Sequence, residues 1–132
     1  MSRVFADTSY YLALVNSRDE VHALACQKTA ALTGPIVTTA WVVTELGNFL
    51  AKGNRRLFLE LLAALRSDDR VTIVPPTAEL LEAALVLYAR RVDKDWSVTD
   101  CISFVVMEQQ GLTQALTADH HFGQAGFQVL LA

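Results

Sequence analysis

The 132-residue chain has no long apolar run, few aromatic side chains (8%), only two cysteines and no surplus of positive charge, its formal net charge being −3. Each shortage excludes something. A bilayer-spanning helix needs roughly 20 consecutive apolar residues, and no such stretch exists here. The start, MSRVFADTS, lacks the basic, apolar and small-residue order of a signal peptide, so the chain reads as cytosolic, with no membrane partner. Cys26 and Cys101 are isolated and lack metal-ligand spacing, so they read as buried thiols rather than as a disulfide or a zinc site. The negative balance argues against a protein that coats nucleic acid wholesale, while leaving room for a local basic rim around an acidic site. What the chain does have is aliphatic bulk: 52% of it is hydrophobic, enough for the core of one domain spanning residues 1–132. No repeat, low-complexity tract or Pro/Gly/Ser linker divides it.

Short apolar runs alternate with helical patterns. VFAD (4–7), GPIVTT (34–39), VTIV (71–74), QALT (114–117) and FQVL (127–130) read as strands. Between them, helices are expected over Asp19–Leu32 with Asp19 as N-cap, across the TAWVVTELGNFLAKG stretch, over Asn54–Ser67, from a Thr77 cap to about Arg91, and over Ser97–Gln110 ended by Gly111. Strand–helix alternation with uniformly apolar strands predicts a parallel sheet of about five strands covered on both faces, a three-layer α/β/α sandwich. In such sheets the working site lies outside the carboxyl ends of the strands.

Most of the fourteen acids have ordinary explanations at helix starts, on polar helix faces or in connections. Four do not reduce so easily. Asp7 ends the first strand and Asp119 the fourth, although either residue type also serves as a helix cap. Asp100 follows Ser97 at capping-box spacing, but the helix after it, CISFVVM, is apolar on almost every side. Glu45 falls among Trp41, Val42, Leu46, Phe49 and Leu50, which recur at helical spacing, and neither capping nor surface pairing explains a carboxylate on that face.

Four carboxylates gathered at one sheet edge repel one another unless a cation neutralises them. Oxygen ligands without cysteine or a required histidine favour Mg²⁺ or Mn²⁺ over Zn²⁺. Such an ion activates water and offsets phosphate charge, and the sequence offers no Ser/His/Asp or Cys/His arrangement for a protein nucleophile. Lys52, Arg55 and Arg56, with Arg90 and Arg91, cluster enough to form a basic rim that suits a phosphate backbone; the alternative is cations at solvated helix ends.

The stretches FADTSYYLAL, TELGNFL, SVTDCISFVVMEQQGL and ALTADHHFGQAGFQVL resemble, in order and setting, those of the PIN-domain nucleases, and more narrowly the VapC-type toxins of bacterial toxin–antitoxin pairs. The resemblance spans nearly the whole chain. It assigns the family's metal-binding acidic quartet, also its catalytic set, to Asp7, Glu45, Asp100 and Asp119, and its small hydroxyl residue to Thr8 or Ser9. It implies metal-dependent endoribonuclease activity, frequent homodimers, and inhibition by a small antitoxin that enters the active-site groove. His120 and His121, after the last Asp, depart from the family's varied polar residues; they read as exposed loop histidines, with contact to metal or RNA as the alternative. The DHH triplet matches a motif of another phosphoesterase family, but the further acidic and histidine motifs of that family have no room in the thirteen residues left. The competing class is a PIN-like binding or regulatory module, for RNA or protein, that keeps fold and carboxylates but cuts little. Surplus aliphatic faces such as LFLELLAAL suit a partner surface, or simply core packing.

Overall fold

The computed structural model describes residues 2–132. Five parallel strands form one sheet: β1 (Val4–Ala6), β2 (Ile36–Thr39), β3 (Val71–Val74), β4 (Gln114–Leu116) and β5 (Gln128–Val129), in the spatial order β3-β2-β1-β4-β5. Register pairs Phe5 with Val37 on one side and with Ala115 on the other, so β1 is the central strand. Val4, Phe5 and Ala6 are all buried, as a strand covered on both faces requires. The α/β/α sandwich expected from the sequence is the fold observed.

The helices are α1 (Thr8–Val15), α2 (His22–Ala31), α3 (Ala40–Leu50), α4 (Arg55–Ser67), α5 (Ala78–Arg90), α6 (Val98–Gln109) and α7 (His120–Gln124). Local chemistry sets several starts, that of α5 at Thr77 as read from the sequence. The Thr39 hydroxyl accepts from the Val42 amide at 3.1 Å and Thr77 from the Leu80 amide at 3.2 Å, each satisfying a donor that the first turn leaves orphaned. Gly111, at φ +67°, adopts the left-handed conformation just past α6 that stops a helix. Gly47 leaves room where α3 meets α4, since a Cβ there would lie 3.1 Å from Phe58 Cζ.

Several sequence expectations need correction. Helix α1 follows β1 at once, unmarked in sequence because TSYYLALV is apolar on nearly every side and shows no stripe. Helix α7, five residues long, is too short to carry a period. Asp19 does not cap α2; its carboxylate instead takes the Val21 amide at 2.9 Å in a turn, and the helix begins at His22. Finally, Phe49 is 64% exposed: the buried stripe of α3 is Val42, Leu46 and Leu50, so Glu45 flanks that stripe and is half-buried. Both cysteines are free, Cys101 buried as expected but Cys26 exposed.

Beneath this frame an aromatic cluster ties β1, α6 and α7 together. Phe104 meets Phe122 edge-on with centroids 4.9 Å apart, Trp96 packs edge-on against Phe104 at 5.0 Å, and Phe5 lies 6.2 Å from Phe122. The Trp96 indole N–H donates to Gln124 Oε1 at 3.0 Å, joining the turn before α6 to α7.

Candidate active site

From β1 the chain steps sideways through β2 to β3, and later returns on the other flank through β4 to β5. The reversal falls between β1 and β4, and in open sheets the working site lies outside the carboxyl ends of the strands at such a point. Asp7 directly follows β1 and Asp119 lies three residues beyond β4. Helix α3, which springs from the end of β2, carries Glu45 in its second turn, and α6 carries Asp100 in its first.

Neighbouring charges couple these acids in pairs. Burial, opposed by hydrogen bonds from the Thr8 amide and the Thr117 hydroxyl, pushes the Asp7 carboxyl up to about 7, and the charges of Asp100 and Glu45 push it the same way. Asp100 is also raised, by burial first and then by the charge of Asp119, against the pull of the Ser97 amide and His121. Repulsion therefore links Glu45 to Asp7, Asp7 to Asp100 and Asp100 to Asp119.

A hydroxyl relay orders this edge. Thr117 Oγ1 donates to Asp7 Oδ2 at 2.9 Å and accepts the Asp119 amide at 3.0 Å. Because the one Thr117 proton points at Asp7, the Ser9 hydroxyl, 3.0 Å away, donates to Thr117, and Ser9 Oγ itself accepts the Ala118 amide at 3.1 Å. Of the two hydroxyls considered from sequence, Ser9 joins the site. Thr8 Oγ1 is buried and has no hydrogen-bond partner among the described residues. Thr117 escaped sequence reading altogether, since its contact with Asp7 spans 110 positions.

Asp100 and Asp119 are caps as well as site residues. Asp100 completes a reciprocal box with Ser97, each side chain taking the other's amide at 3.0–3.1 Å. Asp119 Oδ1 accepts the His121 amide at 2.9 Å and so starts α7. The reading of His120 and His121 as exposed loop residues is corrected by α7. His120 is exposed, but His121 is 19% exposed at its side chain, with Nδ1 3.0 Å from Asp100 Oδ2 and 3.3 Å from Asp119 Oδ1. Asp119, His120 and His121 bring their ligating atoms within 4.8 Å of one another.

The basic candidates are dispersed. Lys52, Arg55 and Arg56 are exposed around the turn from α3 to α4, with Arg56 Nε 3.6 Å from Glu60. Arg90 is exposed at the end of α5, whereas Arg91 is committed to Asp93 at 3.0 Å and lies over the Trp96 ring at 4.9 Å. The structure also holds a Cys/His contact that sequence reading did not find, Cys26 Sγ to His22 Nε2 at 3.6 Å, one turn apart on α2.

The fold and this acidic edge define a class: the chain belongs to the PIN-domain family, whose model matches residues 4–128. Within that family it is similar to the 23S rRNA-specific endonuclease VapC20 of Mycobacterium tuberculosis, in strains CDC 1551 / Oshkosh and H37Rv alike, with 31% identity over 124 residues covering 94% of this chain and 95% of the relative. The crystal structure of M. tuberculosis VapC20, described as a Sarcin-Ricin loop cleaving toxin, superposes with TM-score 0.86 at 30% identity, covering 94% of this chain and 95% of that one. FitAcB of Neisseria gonorrhoeae shares the fold, with TM-score 0.69 at 18% identity over 96% of this chain and 95% of that one. The likeness to VapC20 along nearly all of both chains makes this protein a VapC-type endoribonuclease toxin.

Proposed function

We propose that the protein cleaves RNA with a divalent ion, Mg²⁺ or Mn²⁺, held by Asp7, Glu45, Asp100 and Asp119, the set that also carries catalysis. The observation that carries this reading is the placement of the four acids at the topological switch point, coupled pairwise from Glu45 through Asp7 and Asp100 to Asp119, with the Asp7 carboxyl raised to about 7. A cluster that costs folding energy when bare is relieved by a cation. The donors fit a hard ion. Asp100 Oδ1 and Asp119 Oδ2 receive no hydrogen bond among the described residues, while their partner oxygens are taken by amides and by His121. When bound, the ion lowers the pKa of its water and offsets charge on the phosphate.

The chain's own residues supply orientation. Thr117 and Ser9 aim the Asp7 carboxylate, Ser97 and His121 fix Asp100, and the aromatic cluster under α6 and α7 keeps both elements in place. Lys52, Arg55 and Arg90 are exposed and placed to steer an RNA backbone; Arg56, paired with Glu60, and Arg91, paired with Asp93, contribute through guanidinium groups already shared. With water as the attacking group, the product ends are 5′-phosphate and 3′-hydroxyl. The specificity named for VapC20 makes a structured loop of 23S ribosomal RNA the first substrate to test.

Residues 1–132 act as one domain in the cytoplasm, as a homodimer restrained by a small antitoxin. Exposed apolar side chains on α3 and α4, Phe49 and Leu59, and on and after α5, Val86, Tyr88 and Val92, offer such partners surface. No helix among the described residues is long and apolar enough to cross a membrane.

The test is cleavage of end-labelled RNA by the purified, partner-free chain with Mg²⁺, Mn²⁺ or EDTA, beside Asp100→Asn. Discrete cuts that need metal and vanish in the variant are expected. A folded chain that cuts nothing under any metal would move the reading to a binding module, and 2′,3′-cyclic phosphate ends would overturn the attacking group.

A further inference from the structure

His121 is the one histidine that reaches the acids with a ring nitrogen at hydrogen-bond distance. Its Nδ1 faces two carboxylate oxygens, Asp100 Oδ2 at 3.0 Å and Asp119 Oδ1 at 3.3 Å. Both are acceptors, so Nδ1 carries the hydrogen and the ring acts here as a donor. The same two oxygens are also addressed by backbone amides, Ser97 N–H on Asp100 and His121 N–H on Asp119. Each carboxylate is thereby held by one oxygen, and the other oxygen, Asp100 Oδ1 or Asp119 Oδ2, is left without a donor among the described residues.

The helix that carries the ring is anchored on both sides of it. Phe122, the next residue, is fully buried against Phe104 and Phe5, and Gln124 is pinned by the Trp96 indole. A donor so fixed sets the torsion of two carboxylates that come from different elements, α6 and the segment between β4 and α7.

We propose that His121 is a positioning residue: its Nδ1–H bridges Asp100 and Asp119 so that each presents a single oxygen to the divalent ion, and the ring itself stays out of the coordination sphere. The inference rests on the metal-dependent reading above and adds to it a residue that the acidic quartet leaves out. Partners that orient metal ligands in this way are worth roughly 10–100-fold in metal affinity when removed.

Asparagine separates positioning from ligation, since its side-chain N–H can stand where Nδ1–H stands but nothing replaces the imidazole Nε2. Calorimetric titration of Mn²⁺ into the wild-type chain, His121→Ala and His121→Asn is the measurement. A loss of roughly 10–100-fold in His121→Ala, largely restored in His121→Asn, is expected. Wild-type affinity in His121→Ala would overturn the inference and leave the metal reading standing. An asparagine variant as weak as the alanine one would also overturn it, by making the ring a ligand. A second measurement needs no variant: the electron spin echo of Mn²⁺ bound to the wild type should lack the modulation of a directly bonded nitrogen, and its presence would refute positioning. A wild-type chain that binds no Mn²⁺ would remove the metal reading itself, and this inference with it.

Discussion

Replacing Asp7 by asparagine should make the metal-free protein more stable at pH 8 while destroying its activity. The carboxyl is raised from 3.8 to about 7, chiefly by burial. A tenfold change in proton affinity is worth about 1.4 kcal/mol, so that gap corresponds to about 4 kcal/mol of unfavourable ionisation in the folded chain. The sign follows from proton binding. Between roughly pH 4 and pH 7 the folded state keeps a proton that the unfolded state has lost, so stability falls as pH rises through that window. Above about pH 7 both states are ionised and the penalty is complete. Asparagine cannot ionise, and its carbonyl can still accept from Thr117 Oγ1, so the variant escapes the penalty without orphaning the hydroxyl. Against a total stability of about 5–15 kcal/mol, even half of that ceiling is easily measured. Urea unfolding in EDTA, followed by circular dichroism at pH 5 and pH 8, should show the advantage of Asp7→Asn widening with pH. Saturating Mn²⁺ should narrow it by stabilising the wild type alone. An advantage equal at the two pH values, or a variant less stable than wild type at pH 8, would refute the description of Asp7 as a buried, repelled carboxylate.

Three further outcomes can be checked with the same protein. Thr117→Val keeps the volume but removes the donor that holds the Asp7 carboxyl down, so the acidic limb of the cleavage–pH profile should move to higher pH; an unmoved limb would exclude the relay. Glu45→Gln should lower cleavage by on the order of 100-fold or more while leaving the unfolding midpoint nearly unchanged, because Glu45 is half-buried at the edge of its helix stripe. Charge reversal at Lys52, Arg55 and Arg56 should weaken RNA binding and flatten its salt dependence by about 0.7 in slope per lost contact, measured between 50 and 200 mM salt; an unchanged slope would place the RNA elsewhere.

The fold was largely legible because its signals are local. Thr77 and the Ser97–Asp100 pair announce helix starts within three residues, and buried central strands show as short apolar runs. What escaped were elements whose surroundings hide any period: α1, buried on most sides, and α7, less than two turns long. Glu45 was noticed for its place in an apolar stripe, and the structure moves that stripe by exposing Phe49, leaving the carboxylate at its margin.

The sequence by itself determined the alternation of strands and helices, the identity of the acids at strand ends and helix starts, and the oxygen-rich chemistry they imply, since residue type and short-range spacing carry all of these. Only the tertiary structure decided which groups meet. Setting β4 beside β1 brings Thr117 to Asp7 across 110 positions, and packing α7 onto α6 through Phe122 and Phe104 brings His121 to Asp100 across 21. Those encounters depend on strand order and core packing, which no window of the sequence contains.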